Sequence, residues 1–257
     1  MGRWLRFELN GKLGFGMLED GVVQVYHGDM FSDPRISEQA LPLSEVRVCT
    51  PSEPSKMICL WNNFHQLAAK LGAVAPEEPL YLLKAPSAFA AHGDTIHRPK
   101  SYGGKVVYEG ELGIVIGRRC SYVSEAEAPN YIFGFTCVND VTAAELINKT
   151  PNFPQWTRAK SFDGFGAFGP VIATGLDPMT LRVRTVLDGQ ERQNYPVTDM
   201  IFPPSTLVSL LSQDMTLMPG DVVACGTSVG VGTMKNPTNA VEISIEGIGT
   251  LGNIFAQ

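Results

Sequence analysis

Two glutamates, Glu109 and Glu111, stand two residues apart in Tyr108-Glu109-Gly110-Glu111-Leu112-Gly113-Ile114-Val115-Ile116-Gly117. The apolar run behind them reads as a buried strand. A strand alternates its faces, so both carboxylates point the same way. Two like charges on one face of an apolar strand repel each other and are costly to bury. A hard divalent cation is the simplest partner that makes the pair favourable. The other reading is an exposed strand face whose charges water solvates.

A third carboxylate follows the apolar run Phe135-Thr136-Cys137-Val138-Asn139, at Asp140. Strand ends and strand-to-helix turns are where functional groups collect. The stretch from Thr142 to Asn148 reads as a helix, so Asp140 by itself would serve equally as an N-cap. Taken with the two glutamates it completes a three-carboxylate set. Water and substrate oxygens would finish an octahedral shell, which suits Mg2+. No His or Cys lies nearby at a ligand-like spacing, which argues against zinc.

Two further stretches carry polar groups suited to such a site. Lys160 lies in Gln155-Trp156-Thr157-Arg158-Ala159-Lys160-Ser161-Phe162-Asp163. Beside a metal it would hold a substrate carboxylate or enolate oxygen; elsewhere it would be a snorkelling surface lysine. The run Val222-Val223-Ala224-Cys225-Gly226-Thr227-Ser228 ends a strand in a glycine-punctuated turn. Backbone N–H groups there, with Thr227, suit an anion such as a carboxylate. The run lacks the Gly-Lys-Ser/Thr ending of a phosphate loop, and alone it is a plain β-turn.

The elements that must position these groups read as mostly β. The chain has 257 residues, with 26 Gly and 18 Pro, which favours many turns and more strand than helix. Residues 1–50 form a small β module, with a hairpin at Asn10-Gly11. The main domain, 55–257, opens with a strand at Met57 to Leu60. Asn63 would cap a helix from Phe64 to Leu71 that stops at Gly72. Strands follow at 80–83, 111–116 and 131–138, then a long glycine- and aromatic-rich loop over 150–168. Asp188-Gly189 turns a second hairpin, Ser205 to Ser212 reads as a helix, and the C-terminal part is again β. Strict βαβ alternation is absent, which excludes Rossmann and TIM architectures.

Composition excludes several function classes. A net charge of -6 with no basic cluster argues against a nucleic-acid partner. No run of about 18 apolar residues exists, so no membrane span is expected. The N-terminus has no apolar signal-peptide region. Five scattered cysteines without CxxC spacing read as buried free thiols in a reducing cytoplasm. His27, His92 and His97 read as surface or loop residues.

Together these segments resemble the fumarylacetoacetate hydrolase family from about Met57 to Leu251. The marks are Glu109-Gly110-Glu111, Val138-Asn139-Asp140, Lys160-Ser161-Phe162-Asp163 with Gly169-Pro170, and Gly220-Asp221 followed by Gly226-Thr227-Ser228-Val229-Gly230-Val231-Gly232. The resemblance implies an α+β, β-rich fold, a mixed β-roll with few short helices, and a homodimer. It implies Mg2+, Mn2+ or Ca2+ held by Glu109, Glu111 and Asp140. It also implies that Lys160, Thr227 and Gly226 face the substrate, with Gln155 helping. Family substrates are small 2-oxo or 1,3-dioxo acids. Their reactions include C–C hydrolysis, decarboxylation, and keto–enol or double-bond isomerisation in aromatic catabolism. The shared chemistry is an enolate stabilised by the metal.

One departure decides between these reactions. Hydrolytic members carry Asn-Tyr-x-x-His-x-x-Glu, whose His and Glu activate water. Here the stretch is Asn63-Phe64-His65-Gln66-Leu67-Ala68-Ala69-Lys70. Leu67 holds the His position and Lys70 the Glu position. His65 comes two residues early, about 200° around a helix; only a register shift would make it catalytic. Ser228 also stands where many members have Pro. Loss of a general base costs about 10² to 10⁴ in rate, whereas enolate stabilisation by a metal survives that loss. The expectation is therefore an isomerase or decarboxylase, ahead of an acylpyruvate-type hydrolase. A 2-hydroxydienoate hydratase and a non-catalytic metal-binding relative are the further alternatives.

Overall fold

The Asn10-Gly11 turn joins two antiparallel strands, Gly2–Leu9 and Lys12–Glu19, with Leu9 opposite Lys12. Asn10 and Gly11 have φ of 51° and 75°, the left-handed pair that a tight hairpin requires. Asp188-Gly189 repeats it, with φ of 50° and 76°. The computed structural model describes all 257 residues.

The largest sheet runs in the order Asp33–Pro42, Val22–Asp29, Lys12–Glu19, Gly2–Leu9, Gly166–Thr174, Ile132–Asp140, Gly110–Ile116, Val222–Ala224, Met57–Trp61, Leu80–Lys84. The N-terminal strands are thus continuous with the rest: Gly2 lies opposite Thr174 and Trp4 opposite Ile172. After Leu80–Lys84, the turn Pro86–Ala88 leads into Phe89–Ala90, which pairs in parallel with Gly166–Ala167. The sheet therefore rolls back onto itself. Met57, Cys59, Leu82, Val115, Val138, Phe168 and Val222 pack together as one buried apolar cluster of this roll. A second sheet, Gln190–Pro196, Arg182–Leu187, Thr238–Ile245, Gly249–Ala256 and Thr95–His97, packs against its central strands. Helices are few and short: α1 is His65–Leu71, α2 Trp156–Lys160 and α3 Pro204–Asp214. This is the β-rich roll with few short helices that the sequence leads one to expect. No helix is long and apolar enough to cross a membrane.

Several local expectations are corrected. Thr142 to Asn148 is not a helix. Thr142–Ala143 pairs with Val106–Val107, and only a 3-10 turn follows at Ala144–Leu146. The Ala144 amide is captured by the Lys105 carbonyl at 2.9 Å. Asp140 is thus the last residue of a strand, not a helix cap. Asn63 does not cap α1 either. Its side chain bridges away, accepting from the Phe202 amide and donating to the Cys225 carbonyl, each at 2.8 Å. The stop at Gly72 does hold, with φ of 63° and the Ala73 amide closing onto the Ala68 carbonyl. The 150–168 stretch contains α2, too short to show a helical period. His92 is half-buried and accepts from the Gly252 amide through Nδ1 at 2.9 Å, while His27 and His97 are exposed. All five cysteines are free and buried.

Candidate metal centre

Glu111 lies in the strand Gly110–Ile116, and Glu109 immediately precedes it. The neighbouring strand Ile132–Asp140 sets Val138 opposite Glu111 and Asn139 opposite Gly110. One residue on, the Asp140 amide donates to the Glu109 carbonyl at 2.9 Å. This register brings one oxygen of each carboxylate within 4.8 Å of the other two. Glu111 and Asp140 are buried and Glu109 is half-buried.

The glycine between the glutamates is required by what lies behind it. A Cβ on Gly110 would stand 2.0 Å from Thr185 Oγ1. Its amide donates to Gln193 Oε1 at 3.0 Å, and its carbonyl accepts from Tyr195 Oη at 2.5 Å and Thr227 Oγ1 at 3.0 Å. Gln193 Nε2 also donates to Thr227 Oγ1 at 2.8 Å. The second sheet, together with Thr227, therefore clamps the backbone between the two glutamates.

Two buried lysines face the acids. Lys160 ends α2 and places Nζ 2.6 Å from Glu109 Oε2 and 2.5 Å from Asp140 Oδ2. Lys84 Nζ lies 2.6 Å from Asp140 Oδ1, with both side chains fully buried. It also donates to the carbonyls of Lys160, Phe165 and Val141 at 2.6, 2.8 and 3.3 Å. Glu111 Oε2 accepts from the Gly226 amide at 2.9 Å, but its Oε1 is buried without a partner.

The charges do not balance. Three carboxylates against two ammonium groups leave one negative charge in a buried site. Burial pushes the Glu111 carboxyl well up from the ordinary glutamate value, and Asp140 and Glu109 push it further. Burial also raises Glu109, against the opposing pull of Lys160. For Asp140, burial is outweighed by Lys160 and Lys84, and its carboxyl lies below the usual range. Burial opposes the charge on Lys160, but Asp140, Glu109 and Glu111 outweigh it and hold the ammonium. An excess negative charge, an unpartnered buried oxygen and an all-oxygen donor set fit a hard divalent cation such as Mg2+, Mn2+ or Ca2+.

The other residues singled out in the sequence are placed as follows. Gly226 touches the site through its amide. Thr227 is buried, and its hydroxyl is engaged with Gly110 and Gln193. Gln155 Nε2 donates to Thr150 Oγ1 at 3.2 Å, and its Oε1 accepts from Arg158 at 2.9 Å. No hydrogen bond ties Gln155 to the carboxylates. His65 is the exposed first residue of α1. Leu67 packs against the core and Lys70 is exposed. Sequence reasoning did not find Lys84, Gln193 or Tyr195. A signal existed for the last two, which are the buried positions of the otherwise exposed strand Gln190–Pro196.

Residues 56–256 match the family model described as fumarylacetoacetate (FAA) hydrolase C-terminal, and 2–51 match one described as Rv2993c-like, N-terminal. An uncharacterised protein of Archaeoglobus fulgidus is 41% identical over 249 residues, covering 96% of this chain and 94% of that protein. The oxaloacetate tautomerase YisK of Bacillus subtilis is 36% identical over 224 residues, covering 82% of this chain and 73% of that protein. The crystal structure of 2-hydroxyhepta-2,4-diene-1,7-dioate isomerase from Mycobacterium marinum superposes with a TM-score of 0.90 at 34% identity, covering 100% of this chain and 98% of that one. The chain belongs to the fumarylacetoacetate hydrolase family.

Proposed function

We propose that the chain is a divalent-metal-dependent isomerase or decarboxylase acting on a small 2-oxo acid. The observation that carries this reading is the Lys160 ammonium shared between Glu109 and Asp140, with Leu67 and Lys70 where a water-activating His and Glu would stand. The bound cation would supply Lewis-acid stabilisation of negative charge on a substrate oxygen. Glu109, Glu111 and Asp140 would hold it. Lys160 presents a fixed ammonium to an oxygen that gains charge as a proton or carboxylate leaves the adjacent carbon. Gly226 and the Gly110 clamp keep Glu111 in place. Neither isomerisation nor decarboxylation needs an activated water.

The relatives support the class of reaction, since one is named a tautomerase and another an isomerase. A cytoplasmic homodimer working in aromatic catabolism is the setting that fits this reading. The test is an assay with Mg2+ against oxaloacetate and unsaturated 2-oxo dicarboxylates. Accelerated enol–keto conversion, double-bond migration or loss of CO2, abolished by a chelator, is the expected result. Cleavage of acetylpyruvate at ordinary enzyme rates that disappears in His65→Ala overturns the ranking in favour of hydrolysis.

A further inference from the structure

Lys84 is a fully buried charge beside the carboxylates to which no role beyond the charge balance has yet been given. Its side chain has 0% exposure. An ammonium carries three protons, and this one donates them to the carbonyls of Lys160, Phe165 and Val141, while Asp140 Oδ1 stands 2.6 Å away as an ion-pair partner that receives no hydrogen bond. No proton is left for a ligand, so Lys84 cannot touch a substrate.

Its partners come from three separate pieces of chain. Asp140 and Val141 lie at the end of the strand Ile132–Asp140, Lys160 ends α2, and Phe165 leads into the strand Gly166–Thr174. α2 is five residues long and has no side-chain cap; a helix that short does not hold itself. The carbonyl that Lys84 grips belongs to the residue whose own Nζ pairs with Asp140. The two lysines take different oxygens of that carboxylate, Lys84 Oδ1 and Lys160 Oδ2. The sheet leaves room for the lysine stem, because a Cβ on Gly166 would crowd Lys84 Cδ at 3.1 Å.

We propose that Lys84 is a positioning residue. One buried ammonium fixes both the Asp140 carboxylate and the end of α2, and so sets the gap in which Lys160 and a divalent cation meet Asp140. The inference rests on the metal reading given above.

Charge and position make opposite predictions, which gives the test. Losing Lys84 changes the net charge of the site from -1 to -2, and Coulomb attraction alone would tighten cation binding. Losing its positioning would loosen it, by about 10- to 100-fold for a group that orients a metal ligand. Mn2+ and Mg2+ affinity is to be measured by calorimetry for native protein, Lys84→Met, Asp140→Asn and the double variant. The expected result is at least about tenfold weaker binding in Lys84→Met, and a much smaller further loss when it is added to Asp140→Asn. Unchanged or tighter binding in Lys84→Met overturns the proposal. So does an equal loss in both backgrounds, which is what general damage to the fold would give. If Lys84→Met does not fold, the double variant, freed of the unpaired buried carboxylate, is expected to fold by circular dichroism. Its failure also overturns the proposal. If native protein binds neither cation, the metal reading fails instead. The Lys84–Asp140 link is then read from the melting temperatures of the four metal-free proteins, expected to be non-additive; additive shifts overturn it.

Discussion

The Gly226 amide donates to Glu111 Oε2 at 2.9 Å, while Glu111 Oε1 has no partner. One oxygen is fixed and the other is buried with no hydrogen-bond partner. Gly226 has φ of 89°, which a side chain strains at about 1–3 kcal/mol. A Cβ there would also crowd Asn63 Cβ and the Leu60 carbonyl, both at 3.3 Å. Gly226→Ala is therefore expected to lower the melting temperature and to weaken Mn2+ binding about tenfold, as read by thermal unfolding and calorimetry. Native affinity in a folded variant would show that this amide does not orient Glu111.

Metal dependence of stability should vary with pH. The Glu111 carboxyl is raised well above 4.5, mainly by burial. A group raised on folding contributes stability that is full below its unfolded value and lost as pH rises through its folded one. Metal-free protein should thus lose stability towards alkaline pH on account of Glu111. Asp140 is lowered, so its contribution is present above its unfolded value and is lost only as pH falls through its folded one. Cation binding competes with the Glu111 proton. Excess Mg2+ should raise the melting temperature by an increment that grows as pH rises from the acid side through the elevated Glu111 value, and an increment that stays constant across the whole pH range of the folded protein would refute the account.

Lys160 and the carboxylates should separate kinetically. Glu111→Gln removes a ligand and is expected to abolish both cation binding and turnover. Lys160→Met removes a cation from a site that is already one charge negative, so metal affinity should hold or rise. Its kcat should nonetheless fall by about 10² to 10³, the typical loss of a charge-stabilising donor. A Lys160→Met enzyme with native kcat would remove this residue from the chemistry.

His65 is exposed and has no hydrogen bond through its side chain. His65→Ala should leave kcat/KM within about twofold of native on any 2-oxo acid that is turned over, since exposed substitutions away from a site seldom matter. Steady-state kinetics decide this, and a loss of about 10² would restore a general base to α1.

What could be read from the sequence was local. Asn10-Gly11 and Gly72 announce their turns because the backbone there needs positive φ. The carboxylate set is legible because Glu109 and Glu111 share one strand and Asp140 ends another. Lys84 was invisible because its partners lie 57, 76 and 81 residues away. Gln193 and Tyr195 reach Gly110 across 83 and 85 residues. The Thr142 to Asn148 stretch has helical composition, yet Thr142 and Ala143 are drawn into a strand by pairing with Val107 and Val106. Tertiary partners of this kind override local propensity.

The strand Gly2–Leu9 lies directly on Gly166–Thr174, whose other neighbour ends in Asp140. Trp4 and Phe31 both rest on Phe133, with ring centroids 6.2 and 4.9 Å away. A fragment beginning at residue 56 would therefore lose part of the seam that shields its own sheet. It would present bare peptide groups at Ile172 to Thr174 beside an uncovered Phe133, an adhesive margin for another copy of itself. The first fifty residues thus cover a sheet edge that the rest of the chain would otherwise leave open.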